Sequence, residues 1–401
     1  MGNAALTGGG GDMQPFEVDW WPKRVVSGPR SIECMPQLMA DLGRSRALIL
    51  CGRSVAAGPI YQEVRAILGE RCVGAFHGVE MHAPLPVLER GAEAARAAGA
   101  DVVVSLGGGS AIDSGKGVSL IHTVGADYRS YALKPGSAAA ERKPVPELKL
   151  AHIAIPTTTG SGSEVAPTCG LRDPAVGHKV IFRDDRLIPS IAVLDPCATV
   201  PTPARLTASS GMTAVARCIE ALYSGRRNPF RGALALHGLR MLRLNLPRSI
   251  EKPDDLEARG ACLVASAMSA IAANVNTSAV HAIGHVVGGR YGLQHGVAHA
   301  ILLAPSMRLM LPIIGEDQKL VLAAMGGAEE GCDAHEAGLR AADLMARFVA
   351  MLPLPQKLRD VGVEEAHIAD LVDHASHDPI LMSSAGGATR ERIDELFRSI
   401  F

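Results

Sequence analysis

Four histidines fall in one segment, "VHAIGHVVGGRYGLQHGVAHAILL", residues 280–303. His281 and His285 are four residues apart, as are His295 and His299, and a glycine-containing turn separates the two pairs. Residues four apart share a helix face, so each pair presents two imidazoles on one side. Imidazoles grouped in this way bind a metal or move protons near neutral pH. A lone histidine is more often an ordinary core or surface residue, but four with paired spacing point to a site. Upstream, "SGMTAVARCIEALYS" (210–224) has the rhythm of an amphipathic helix, with Met212, Val215, Ile219 and Leu222 at spacings of three and four. Its polar residues Thr213 and Arg217 are also four apart. That spacing suits a pair of metal ligands, yet Thr is a poor one and a guanidinium has no lone pair to give. Arg217 is also placed to form a helix ion pair with Glu220, three residues on.

Two glycine-rich stretches suggest a second kind of chemistry. In "SLGGGSAIDSGKG" (105–117) an apolar strand runs into Gly107, Gly108 and Gly109, and a helix opens near Ser110. Glycines allow close approach of backbone to ligand, and a helix N-terminus attracts phosphate. Lys116, a turn into that helix, is either a solvated residue or one that reaches a bound cofactor. In "IPTTTGSGSEVAPT" (155–168) hydroxyls alternate with glycines after another strand. This reads as a capped Ser/Thr loop or as a hydroxyl-lined pocket for a nicotinamide nucleotide. Either stretch alone is weak; the two together are far more specific.

The elements that must position these residues follow from periodicity. Short apolar runs at 46–51, 101–110, 151–158 and 191–196 read as strands, alternating with helices at 87–100 and 110–123. That alternation implies a parallel sheet covered by helices. After about residue 200 the pattern turns helical, at 233–244, 256–273, 277–290, 338–352 and 365–376. The prolines of "CATVPTP" (197–203) mark a domain boundary. The expected organisation is a flexible tail over 1–14, an α/β dinucleotide-binding domain over 15–200 and an all-α domain over 201–401. The stretch "FEVDWWPKRVVSGP" (16–29) alternates like a β-hairpin or edge strand.

Bulk properties narrow the function classes. A chain of 401 residues with 47% apolar content has ample core for two domains. With 40 basic and 41 acidic residues and 3% aromatics, nothing favours nucleic acid or an anionic membrane. The eight cysteines form no Cys-x-x-Cys pair, so they read as reduced thiols. No apolar run reaches the length of a membrane span and the N-terminus has no signal-peptide core. A cytoplasmic enzyme with a small-molecule substrate is expected.

The sequence resembles the iron-containing (group III) alcohol dehydrogenase family over roughly residues 20–400, through "GGGSAIDSGK", "IPTTTGSGSEV", "AVLDP", "LTASSGM" and the histidine segment. The resemblance implies a nucleotide-binding α/β domain, a helical domain and hydride transfer between NAD(P) and an alcohol or carbonyl. It implies that Gly107, Gly108, Gly109 and Ser110 hold the pyrophosphate. Thr157, Thr158 and Ser163 would line the cofactor site, with Asp113 and Lys116 on the adjoining helix. Many members carry an Asp where Gly52 stands. An acidic group there binds the adenosine ribose and repels a 2′-phosphate. Gly52 lifts that repulsion, and Arg53 and Ser54 can take the phosphate, so NADPH is expected ahead of NADH.

In the resembling family one metal is held by an Asp and a His on one helix and by two later His. The later pair matches His281 and His295; the earlier pair falls on Thr213 and Arg217. The site looks like a metal site that has lost two ligands. Maleylacetate reductases share the fold and work without metal, and "IEALYSGRRNPF" and "HVVGGRYGLQHGVAH" are similar to their pattern, although Arg217 departs from it. "TTTGSGSEV" and "HGVAHAILL" are closer to ordinary alcohol dehydrogenases. The expected activity is metal-independent reduction of a carbonyl or conjugated keto acid. Arg217 and His281 would stabilise the developing oxyanion, or Arg217 would clamp a carboxylate. His285 and His295 are the candidates for proton delivery. The alternatives are a metal-dependent alcohol dehydrogenase, and a non-redox enzyme or nucleotide binder, since the related dehydroquinate synthase fold supports other chemistry. A homodimer is expected through the N-terminal strand.

Overall fold

The structure, a computed structural model, describes residues 23–133, 143–176, 178–223, 228–273, 279–378, 381 and 389–401. The expected tail over 1–14 and residues 16–22 of the expected edge strand lie outside the described residues. The described strands are β1 (Val25–Ser27), β2 (Ala47–Leu50), β3 (Cys72–Phe76), β4 (Val102–Gly107), β5 (Ala151–Pro156), β6 (Thr168–Asp173), β7 (His178–Arg183) and β8 (Ile191–Leu194). Six of them form one sheet in the order β1-β8-β5-β4-β2-β3, and β6 and β7 form a separate two-stranded antiparallel ribbon. Every pairing within the six-stranded sheet is parallel, as the strand–helix alternation predicts.

The chain divides into two compact units. The first holds the described residues up to Val215 together with Met241–Ile271. Its helices are α1 (Met35–Asp41), α2 (Arg53–Ala56), α3 (Pro59–Leu68), α4 (Leu85–Ala97) and α5 (Gly109–Val124), with parts of α6 (Ala204–Tyr223), α7 (Pro229–Glu251) and α8 (Leu256–Ala272). Alternate residues of the strands enter separate apolar clusters. Ile49, Val104, Ile153 and Val193 pack with Ile60, Val64 and Leu68 of α3. Leu48, Leu50 and Val103 pack with Leu85 and Leu88 of α4 and Val118 of α5. A strand buried on both faces is largely apolar, which is why β2 and β4 read as near-continuous apolar runs, with buried Ser105 of β4 bonded to His152.

The second unit holds Ala216–Arg240 and the described residues from Ala272 on. Besides its shares of α6 and α7 it contains α9 (Ala279–Tyr291), α10 (His295–Leu309), α11 (Leu311–Ile314), α12 (Asp317–Ala324), α13 (Ala334–Ala350), α14 (Ile368–Ser376) and α15 (Arg390–Ser399). The sequence states where such helices begin. Asp333 accepts the Glu336 N–H at 2.8 Å to cap α13, and Thr389 caps α15. Ala337, Ala341, Met345 and Phe348 then form the buried stripe of α13. All eight cysteines are free thiols, five of them buried. No described helix is long and apolar enough to cross a membrane.

Candidate active site

In the first unit the two glycine-rich stretches meet. β4 ends at Gly107 and Gly108 is the N-cap of α5. Gly107 has φ +151°, a region that side chains avoid. A Cβ on Gly108 would lie 2.9 Å from Thr158 Oγ1, and one on Gly109 would lie 2.7 Å from Ser161 Cβ. The second stretch is thus laid directly against the first, and Thr157 N–H donates to Gly107 O at 3.0 Å. Ser110 Oγ accepts the His82 N–H at 3.2 Å. The Ser163 hydroxyl donates to Asp113, whose other oxygen accepts Gly170 N–H at 3.3 Å.

Lys116 is fully buried, so the solvated reading does not hold. Its ammonium donates to Ser163 Oγ at 3.0 Å and to Ala166 O and Thr168 O at 2.8 Å each. Asp113 lies 3.9 Å away. An ammonium has three donors, and here they tie α5 to the 163–168 segment, so Lys116 supports the loop from behind.

The strand order gives this loop its chemistry. β3 and β4 lie on opposite sides of β2, so the chain reverses its direction of travel across the sheet there. In open parallel sheets a ligand binds outside the carboxyl ends of the strands at such a switch point. Gly52 follows β2 and caps α2, and Arg53 and Ser54 are exposed at the same edge. The glycines, the N-terminus of α5 and Thr157 and Thr158 form a cradle that fits a dinucleotide pyrophosphate, whereas the Ser163 hydroxyl, expected to line it, is taken up by Asp113 and Lys116 and supports the loop from behind.

In the second unit α9 and α10 pack side by side, joined by a turn with Gly292 at φ +64°. That return brings the two histidine pairs together. Ring centroids are 6.1 Å apart for His281–His285, 5.4 Å for His285–His295, 6.2 Å for His295–His299 and 4.3 Å for His281–His299. His281 and His299 are buried, while His285 and His295 are exposed. Glu220, buried on α6, accepts the His281 backbone N–H at 3.0 Å, and its other carboxylate oxygen lies against His281 Nδ1. His299 is held well below the usual histidine range, first by burial and then by the charges of His281, His295, Arg217 and His285. It is therefore neutral, and neither ring nitrogen has a hydrogen-bond partner among the described residues. Arg217 is half-buried, and its charge reaches this cluster.

Sequence spacing pointed to Glu220 only as a helix neighbour of Arg217; it also accepts the His281 backbone N–H and so ties α6 to α9. The signal available was a single acid in the otherwise apolar, fully buried run "CIEALY". His299 completes the cluster from within.

The residues do not fit a divalent cation. Among the described residues, no three or more His, Cys, Asp or Glu side chains are grouped so that they could hold a metal ion. The Thr213 hydroxyl donates to Ser209 O in its own helix at 3.5 Å. The guanidinium of Arg217 adds positive charge beside the imidazoles, which opposes a bound cation.

A six-stranded parallel sheet with a phosphate cradle at its switch point defines a dinucleotide-binding α/β enzyme. The model of the iron-containing alcohol dehydrogenases matches residues 22–196, and that of the family's C-terminal domain matches 207–401. A 1,3-propanediol dehydrogenase of Citrobacter freundii is 31% identical over 379 residues, covering 93% of this chain and 96% of its own. Maleylacetate reductase 2 of Cupriavidus pinatubonensis is 32% identical over 392 residues, covering 98% of each. A crystal structure of a 1,3-propanediol oxidoreductase superposes with a TM-score of 0.87 at 29% identity, over 96% of this chain and 100% of that one. The chain belongs to the iron-containing alcohol dehydrogenase family, and it is an NAD(P)-dependent oxidoreductase. The non-redox alternative is set aside on that basis.

Proposed function

We propose that the protein reduces the carbonyl or conjugated enone of a small keto acid with NADPH and without a bound metal. The observation that carries this reading is Arg217, a guanidinium in a ligand position of the family whose charge reaches the histidine cluster. When bound, the dinucleotide supplies the hydride. Gly107, Gly108, Gly109 and Ser110 hold its pyrophosphate, and Asp113, Lys116 and Ser163 keep the loop in shape. Arg217 either stabilises the developing oxyanion or grips a substrate carboxylate through two parallel N–H donors. Glu220 accepts the His281 backbone N–H and lies against its ring, and His281 helps Arg217 polarise the acceptor. His285 and His295, the exposed members, deliver the proton. Gly52 with exposed Arg53 and Ser54 supports NADPH over NADH, since no carboxylate there repels a 2′-phosphate. β1 lies at one edge of the sheet, the basis for including a homodimer in this reading.

The test is NADPH oxidation, followed by nicotinamide absorbance, against pairs of carbonyl compounds that differ only in a carboxylate. The expected result is a kcat/KM at least about tenfold higher for the acid, the scale of one good charged contact. Equal or better turnover of the neutral partner overturns the keto-acid assignment.

A further inference from the structure

The cradle lies at the end of β4, and a dinucleotide seated there runs along the carboxyl edge of the sheet. On one side, after β5, stands the hydroxyl-rich stretch that includes Thr157 and Thr158. On the other side come β2 and then β3, the edge strand. With the nicotinamide half toward β5, the adenosine half extends over the ends of β2 and β3. The end of β3 is two strand spacings from β4, about 10 Å.

Gly52, Arg53 and Ser54 follow β2, and His77 follows β3. The register sets these two ends level. Leu50 pairs with Phe76, Cys51 N–H donates to Phe76 O at 3.1 Å, and Val79 N–H donates back to Cys51 O at 3.3 Å. His77 and Gly78 therefore form a short turn directly beside Cys51 and Gly52. A Cβ on Gly78 would lie 2.6 Å from the Phe76 ring, so glycine is what lets the chain take this course.

The His77 side chain is held in place with its nitrogens unused. Its ring meets that of Tyr61 edge-on, with centroids 4.9 Å apart and planes at 86°. Tyr61 is buried at the start of α3 and is a fixed wall. His77 itself is exposed, as are Arg53 and Ser54. Among the described residues, the side chains of Arg53 and His77 form no hydrogen bond or ion pair. Glu63 of α3 acts on Arg30 and Cys197 instead, and exposed Glu80 pairs with neither Arg53 nor His77.

We propose that His77 is a second residue that selects NADPH, donating a ring N–H to the 2′-phosphate from the end of β3 while Arg53 and Ser54 approach it from the end of β2. The inference rests on the NADPH preference in the proposed function and deepens it. Either ring tautomer, or the imidazolium, has an N–H to give. The Tyr61 wall keeps the ring from rotating freely, so little side-chain freedom is lost when the phosphate arrives.

The test titrates 2′,5′-ADP and ADP calorimetrically into the full chain, since the two probes differ at the 2′-phosphate and neither depends on turnover. Wild type should bind 2′,5′-ADP the more tightly. His77→Ala should weaken 2′,5′-ADP about fivefold, the scale of one hydrogen bond exchanged with water, and leave ADP within about twofold. His77→Arg should hold 2′,5′-ADP within about twofold of wild type, because a guanidinium also donates to phosphate. His77 is exposed, so both variants should fold, and retained ADP binding reports that they do. Unchanged 2′,5′-ADP affinity in His77→Ala, equal loss of both probes, or a His77→Arg variant as weak as His77→Ala overturns this inference and leaves the NADPH reading standing. A wild type that binds 2′,5′-ADP no better than ADP overturns the NADPH reading and this inference with it.

Discussion

In the cradle, the residues that the family resemblance picks out are held by contacts that leave little room for change. Thr158 and Ser161 crowd Gly108 and Gly109, and buried Lys116 ties α5 to the following loop through three acceptors. In the histidine cluster the frame is equally tight, with His281 on Glu220 and His299 buried between the pairs. Yet one residue whose charge reaches that cluster, Arg217, has the opposite sign of preference from a metal ligand. The comparison shows which part of such an enzyme is free to change. On the proposed function, a cradle that recognises the cofactor is fixed by backbone approach, whereas the groups that act on the substrate are exchangeable on an unchanged helix frame.

The comparison is sharpest where the two regions should fail in different kinetic constants. Arg217→Ala should lower turnover roughly a hundredfold or more, the scale of losing one pre-aimed charge stabiliser, with NADPH affinity unchanged. Arg217→Lys should recover little if the contact is bidentate, because an ammonium lacks the planar fork. Stopped-flow turnover alongside equilibrium NADPH titration separates the two effects, and a fully active Arg217→Ala would remove this residue from the chemistry. Gly108→Ala should do the reverse. Its Cβ presses on Thr158, so NADPH should bind about tenfold more weakly, about 1.4 kcal/mol, with turnover at saturating cofactor within about twofold. A large fall in turnover with unaltered affinity would show that Gly108 does not serve the cofactor.

Much of this was legible in the sequence, and the illegible remainder has a common cause. Runs such as "DVVVSLGGGS", and the paired histidine spacing, express local rules of strand burial, turns and helix faces. The tie from Lys116 to Ser163 spans 47 residues, and Glu220 meets the His281 backbone across 61. Such pairings follow from how helices pack, which no spacing records; the local rule placed Glu220 with Arg217. β3, "CVGAF", and the β6–β7 ribbon were not legible either. Their short runs contain glycine and polar residues, and β6 alternates in burial, so neither has the unbroken apolar run that marks the central strands.

A smaller effect is expected at the end of β2. Gly52→Asp should shift the NADPH-over-NADH affinity ratio toward NADH by about fivefold, near 1 kcal/mol for a charge repulsion in a solvated site. A Cβ at Gly52 would lie 3.3 Å from Val79 O, so Gly52→Ala is the control that separates crowding from charge. If both variants shift the ratio equally, charge at this position does not select the cofactor.

The smallest expected effect is none at all, on removal of metal. Extended dialysis against EDTA should leave turnover unchanged, and elemental analysis of active protein should find well under one equivalent of Fe or Zn. The expectation rests on the donor set: Thr213 is bonded within its own helix, and Arg217 brings a charge that repels a cation from the histidines. Loss of activity on chelation, restored by Zn²⁺ or Fe²⁺, would overturn it. The converse experiment tests whether the frame is still competent. Thr213→Asp with Arg217→His restores the Asp and His of the family's ligand set while keeping His281 and His295. Glu220 lies against Nδ1 of His281, so Nε2 is the nitrogen open to coordinate, as where an outer carboxylate backs a metal-bound imidazole. The double variant should therefore take up Zn²⁺ in a calorimetric titration that wild type does not match. If it binds no more metal than wild type, the loss of metal binding involved more of the molecule than these two positions, and the ligand-replacement reading of α6 fails.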